Sequence, residues 1–91
     1  MYQITDYSKN RAKMLGVEIK PSKNKNKKID VYKNGDKIAS IGSIKNLDYP
    51  NHILENGLDY ANQKRKLYRK RHKNDINNKS GNGFWANAIL W

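Results

Sequence analysis

The chain has no cysteine, so neither a disulfide nor a thiolate zinc site can hold it together, and the absence fits a reducing compartment. No apolar run approaches the ~20 residues that a membrane-spanning helix needs. The opening MYQITDYSKN also lacks the apolar core of a signal peptide. Negative charge is scarce: 8 Asp and Glu stand against 19 Lys and Arg, a net charge of +11 on 91 residues. Apolar residues make up only 36%, which allows one small domain with a thin core. Six Tyr and two Trp must then carry much of the burial, at ~150–250 Å² per large ring. These shortages predict a protein that is neither secreted nor membrane-spanning, working inside a cell or in a particle assembled there. At this charge a small domain repels itself unless a polyanion neutralises it. Nucleic acid is the commonest such partner, with acidic protein surfaces as the alternative.

The positive charge is concentrated. Leu58 to Asn74 reads LDYANQKRKLYRKRHKN and carries Lys64, Arg65, Lys66, Arg69, Lys70, Arg71 and Lys73 within ten positions. Leu58, Ala61, Leu67 and Tyr68 recur among them at helical intervals, which predicts a helix that packs on one side and presents cations on the others. Asp59 at its start and the late Lys and Arg at its end follow the sign order that the helix dipole favours. A second cationic stretch, Ser22 to Lys28, holds Lys23, Lys25, Lys27 and Lys28 among Ser and Asn. It reads as a solvated loop, either a plain linker or a second phosphate-contacting element.

Residues 1–16 read as an N-terminal helix, marginal alone and expected to dock on the core, or as a mobile arm. Asp6 or Ser8 is placed to cap it, Tyr7, Ala12, Met14 and Leu15 give an imperfect apolar face, and Gly16 sits where a left-handed residue ends a helix. Residues 17–91 then form a single small basic α+β domain. Within it Ile29 to Ser43 is the clearest local signal, because Asn34-Gly35 between alternating apolar runs predicts a hairpin with a type I′ turn. Ile29, Val31, Ile38 and Ile41 are its candidate buried positions, and Asp30, Tyr32, Lys37 and Ser40 the candidate solvent-facing ones. Val17 to Ile19 is extended in character and available as a third strand. A hairpin needs cover for its apolar face, and the basic helix and the Trp-rich C-terminal segment GFWANAILW are the available covers.

Between them, Asp48 can cap a short helical turn with Pro50 in its first turn, Ile53 and Leu54 inward and Gly57 at its end. A single broken helix through residues 50–73 is the alternative. Tyr49, Pro50, Phe84, Trp85 and Trp91 are the candidate anchors, in the core or at an interface. Asn74 to Asn82 reads as a mobile polar turn cluster.

Two histidines, His52 and His72, with Asp48, Glu55 and Asp75 nearby, raise the question of a catalytic or metal site. No HExxH, phosphate-binding glycine loop or nucleophile elbow accompanies them, so neither catalysis nor a metal or other cofactor is expected. Tyr60 and Tyr68 beside the cations, with Tyr32 on the hairpin, suit base stacking. However, only two strands are evident and core packing accounts for most of the tyrosines, which favours backbone contact over base readout.

The succession IDVYKNGDKIASIG, LDYP, an isolated glycine, KRKLYRKRH and GFWANAILW resembles a family of small, basic, functionally uncharacterised proteins encoded by large double-stranded DNA viruses. The resemblance spans about two thirds of the chain. Asp48-Tyr49-Pro50, Leu67-Tyr68 with Arg71-His72, and Leu90-Trp91 are its most distinctive pieces. It implies a viral origin, a place in the virion or the cytoplasm of an infected cell, and a role around the genome; it brings no catalytic residues.

Two functions follow as expectations. The first is sequence-independent binding of nucleic acid, DNA favoured, with Lys64, Arg65, Arg69, Lys70, Arg71 and Lys73 on phosphates and Lys23, Lys25, Lys27 and Lys28 assisting. The second is a minor structural component of the virion that docks on acidic protein through its aromatic residues.

Overall fold

A computed structural model describes residues 2–78 and 81–91. Four helices and a three-stranded antiparallel sheet form a small α+β domain, in the order α1 (Asp6–Leu15), β1 (Glu18–Pro21), β2 (Lys27–Lys33), β3 (Asp36–Ser43), α2 (Tyr49–Asn56), α3 (Leu58–Arg71) and α4 (Asn82–Leu90). Of the polar stretch 74–82, residues 79 and 80 lie outside the described residues.

The hairpin forms where the Asn-Gly pair predicts it. Asn34 and Gly35 take φ of 54° and 86°, the positive pair that a type I′ turn demands, and Lys33 faces Asp36 across it. The third strand is real: Ile19 pairs with Val31, which makes β2 the central strand. Two expectations fail within the hairpin, at Ile38 and at Asp30. Val31 faces Ala39 while Tyr32 faces Lys37, so Ile38 is the extra residue of a bulge and is 37% exposed. The bulge shifts the alternation by one residue, and Ala39 and Ile41 enter the core beside Ile29 and Val31.

Asp30, expected near solvent, is buried on the opposite face of β2. Its Oδ1 accepts from Ser22 Oγ and from Ser40 Oγ, both at 2.7 Å, one hydroxyl from each side. Burial alone would raise its pKa; these two hydroxyls and the charge of Lys37 outweigh that and hold it below the usual carboxylate range. The turn before it, residues 22–26, is fastened by its own side chains. Ser22 Oγ accepts from the Asn24 N–H, and Asn24 Oδ1 accepts from the Asn26 N–H.

The helices follow local signals more closely than their faces do. Thr5, rather than Asp6 or Ser8, caps α1 by accepting from the Ser8 N–H, and Gly16 ends the helix at φ 71°. Ser8 is instead buried, and its hydroxyl donates to the Ile89 carbonyl at 2.9 Å while Arg11 Nε donates to the Ala88 carbonyl. These are two of the carbonyls that the last turn of α4 leaves unpaired, so α1 is docked by completing the end of another helix. Ala12 and half-buried Tyr7 face inward; Met14 and Leu15, expected on that face, are exposed.

In α2, Asp48 caps the Asn51 N–H, Pro50 occupies the first turn and Gly57 stands between α2 and α3. The inward face carries Tyr49, His52 and Ile53, and Leu54, expected inside, is 78% exposed. Helix α4 packs densely: Ala86, Ala88, Ile89 and Leu90 are buried, and Ala86, Ile89, Leu90 and Trp91 form one cluster with the sheet residues. Helix α4 lies against β3 and α1, whereas α3 packs chiefly on α2.

Candidate nucleic-acid interface

Helix α3 buries very little of itself. Ala61 is its one fully buried side chain, and Leu58 and Leu67, expected to pack, are 55% and 53% exposed. The stripe that does pack runs Ala61, Arg65, Tyr68, Arg69, so two of its members are cations with internal partners. The Arg65 guanidinium lies 4.1 Å from the centre of the Tyr49 ring, and its Nη2 donates to Asn62 Oδ1, which also accepts from the Tyr49 hydroxyl. Arg69 Nε donates to Asn87 Oδ1 at 3.1 Å, and its Nη2 to the backbone oxygen of Trp91 at 3.4 Å. Burial, followed by the neighbouring charge of Arg65, lowers the Arg69 pKa from its ordinary value. Arg69 therefore ties α3 to the end of α4. Its assignment as a phosphate ligand is corrected on that ground.

Lys28 requires the same correction. It is not part of the solvated loop but a residue of the central strand, 4% exposed, with Nζ 3.1 Å from Asp48 Oδ2. Asp48 accepts from the Tyr2 hydroxyl as well, and caps α2 with its other oxygen, so Lys28 neutralises a carboxylate that joins three parts of the fold. Its partner on β3 is Gly42 at φ 79°, and a Cβ built there would meet Leu90 Cδ1 at 2.7 Å and Lys28 Cδ at 3.0 Å. Of its former companions, Lys23 and Lys25 are exposed and Lys27 is half-buried.

The remaining cations of α3 come together. Lys64, Lys70 and Arg71 line a cleft of about 580 Å³ between α3, the segment 42–47 and the end of α4. Leu67, Tyr68, Leu90 and Trp91 provide its apolar wall, and Ser43 and Asn46 stand on the side of the loop. His52 from within α2 and His72 at the end of α3 both line the same cleft. Among the described residues, no Asp or Glu lines it. Lys73 is exposed in the turn after α3, and Lys66 is exposed on the helix.

The rings beside this cleft are ordered against one another. Tyr68 stacks on Trp91 with centroids 4.4 Å apart and planes within 9°, and on His72 at 4.3 Å and 29°. Trp91 continues to His52 at 5.8 Å, and His52 to Tyr60 at 5.7 Å. Of the candidate anchors, Tyr49, Pro50 and Trp91 are buried, and Phe84 and Trp85 are partly so, meeting edge to face at 4.9 Å.

His52 is the residue that sequence reasoning left without a role. It is nine-tenths buried, and its Nδ1 has no hydrogen-bond partner. Burial, reinforced by the charge of Lys64, lowers its pKa below the ordinary 6.5. The folded protein then holds this imidazole neutral while the unfolded chain protonates it, so stability should fall as pH drops below about 6.5 and level off once the folded pKa is passed. Chemical denaturation across pH 5–8 measures this, and His52→Gln should flatten the decline in that window.

Arg69→Ala should lower stability by about 1–2 kcal/mol, because two charge-assisted bonds to α4 disappear, and should leave the salt dependence of any nucleic-acid binding unchanged. A variant whose binding slope flattens would return Arg69 to the phosphate-contacting set.

None of the described helices is long and apolar enough to cross a membrane. No family model matches the chain, and neither a curated protein nor a solved structure matches it.

Proposed function

We propose that the protein binds nucleic acid, DNA in preference, through the sugar–phosphate backbone, as a genome- or virion-associated protein of a large DNA virus. One observation carries the reading. Three cations of α3 converge on a single cleft whose described lining holds no carboxylate; Asp48 and Asp75 stand behind it, against Lys28 and His72, and leave Lys64, Lys70 and Arg71 without an acidic partner there. Lys64, Lys70 and Arg71 are the principal phosphate ligands, Lys66, Lys73 and the half-buried Arg65 extend the face, and Lys23 and Lys25 add long-range attraction. Backbone contacts of this kind fix position without reading sequence.

The competing role, docking on acidic protein through aromatic anchors, has less support. Such an interface draws on rings that are free in the monomer; of its anchors Phe84, Trp85 and Trp91, the last is buried in the domain's own core and the other two are partly buried. Fluorescence anisotropy of labelled random-sequence DNA, challenged with polyglutamate, separates the two. Displacement only by nucleic acid competitors supports the proposal; equal displacement by polyglutamate at matched charge points to general polyanion binding and overturns it.

A further inference from the structure

The cleft on α3 has more in it than phosphate binding requires. A backbone-binding surface needs only exposed cations, yet this cavity joins a cationic rim to a wall of Leu67, Tyr68 and Trp91. Its volume of about 580 Å³ falls within the range of small-molecule sites, ~300–1,000 Å³, and is ample for one nucleotide. The wall is already ordered, since Tyr68 is stacked on Trp91 before any ligand arrives. His52 also lines the cavity.

An anion that also carries a planar, partly apolar body fits that combination of rim and wall. Within nucleic acid this is a nucleotide whose base is unpaired, because a base inside a duplex is stacked and paired and cannot enter a side cleft. We propose that the cleft seats one unpaired nucleotide of a bound strand, its phosphate against Lys64, Lys70 and Arg71 and its base against Leu67 and the edges of Tyr68 and Trp91, whose faces are already stacked within the protein. The proposal rests on the nucleic-acid reading above and adds to it a preference for single strands.

The test compares a short oligothymidylate with an abasic oligomer of equal length, which keeps every phosphate and lacks every base. Both are titrated by anisotropy against the whole chain at one salt concentration and again at several. The expected result is binding of oligothymidylate about tenfold tighter than of the abasic strand, in the range that one stacked base provides. Equal affinities with a steep salt dependence would overturn the nucleotide pocket and leave the phosphate reading standing. If neither strand binds in a salt-dependent way, both proposals fall together. Leu67→Asn is the second arm: the residue is half-exposed, so the substitution leaves the core alone and keeps the charge unchanged. It should erase the preference for the strand with bases while abasic binding persists, and a preference that survives in it would place the base elsewhere.

Discussion

Asp48→Ala is expected to lower the unfolding free energy by about 3–5 kcal/mol, the range found when one member of a buried ion pair is removed and the other is left uncompensated. Asp48 is 1% exposed and Lys28 4% exposed, with Nζ and Oδ2 3.1 Å apart, so the ammonium left behind is largely buried and without its counter-charge. The same carboxylate caps α2 and accepts from the Tyr2 hydroxyl, which joins the N-terminal segment, β2 and α2. Loss of the cap adds about 1 kcal/mol. Asp48→Asn retains a capping oxygen and should still cost most of the effect, because the charge is what Lys28 lacks. The double variant Lys28→Met with Asp48→Asn should recover much of the stability, since the buried stem of Lys28 is replaced by an apolar chain of similar volume and no charge remains buried. Urea denaturation of the native protein, Lys28→Met, Asp48→Asn and the double variant closes the cycle; strictly additive losses would mean that the two groups do not act as a pair.

The second large effect concerns binding. Replacing Lys64, Lys70 and Arg71 together by Ala should flatten the dependence of log K on log salt by about 2.7, because each phosphate contact to B-DNA contributes a slope of about 0.9. With six contacts in the native protein the slope is about −5, and the triple variant is left near −2 to −3. The domain should fold as before, since Lys70 and Arg71 are exposed and Lys64 makes only a cation–π contact, 5.4 Å from the Tyr60 ring centre. Replacing Lys23 and Lys25 should change the slope far less, because both lie on the β1–β2 turn and neither lines the cleft.

These two predictions divide the lysines in a way that the chain's own order hides. Lys27 and Lys28 are neighbours in a cationic stretch, yet one is half-buried and the other is inside the fold. Both belong to β2, and what separates them is the face: alternate residues of a strand point opposite ways, and Lys28 takes the side that meets Asp48. Composition marks both as solvated. Only the tertiary position of Asp48, twenty residues later, distinguishes them.

Local chemistry was readable wherever backbone geometry restricts residue choice. Asn34-Gly35, Gly16 after α1, Gly57 between α2 and α3, and Asp48 ahead of Pro50 each sit where the structure uses them. Faces were less readable, because small changes in phase redirect whole elements. The bulge at Ile38 moves Ala39 inward, and Leu54, Leu58 and Leu67 project outward because the stripes that pack pass beside them. Thr5 lay outside the helix predicted from Asp6 or Ser8, so the cap was placed too late by one position or more.

The candidate site was legible in half. Helix α3 announced itself by charge, but its facing wall comes from segment 42–47, His52 and the end of α4, which no spacing in the sequence connects. Arg69 could not be told from Lys70 until Asn87 and the Trp91 backbone were found beside it.

The measurement that bears most directly on the central claim is mapping of backbone amide shifts in the ¹⁵N-labelled protein as DNA is added. The account predicts that the largest changes fall on residues 42–47 and 64–72, the two sides of the cleft, with little change in α1 and β1. Changes centred on the β1–β2 turn, or spread evenly over every lysine, would contradict it and show that the charge of the whole surface, not the α3 cleft, captures the polyanion.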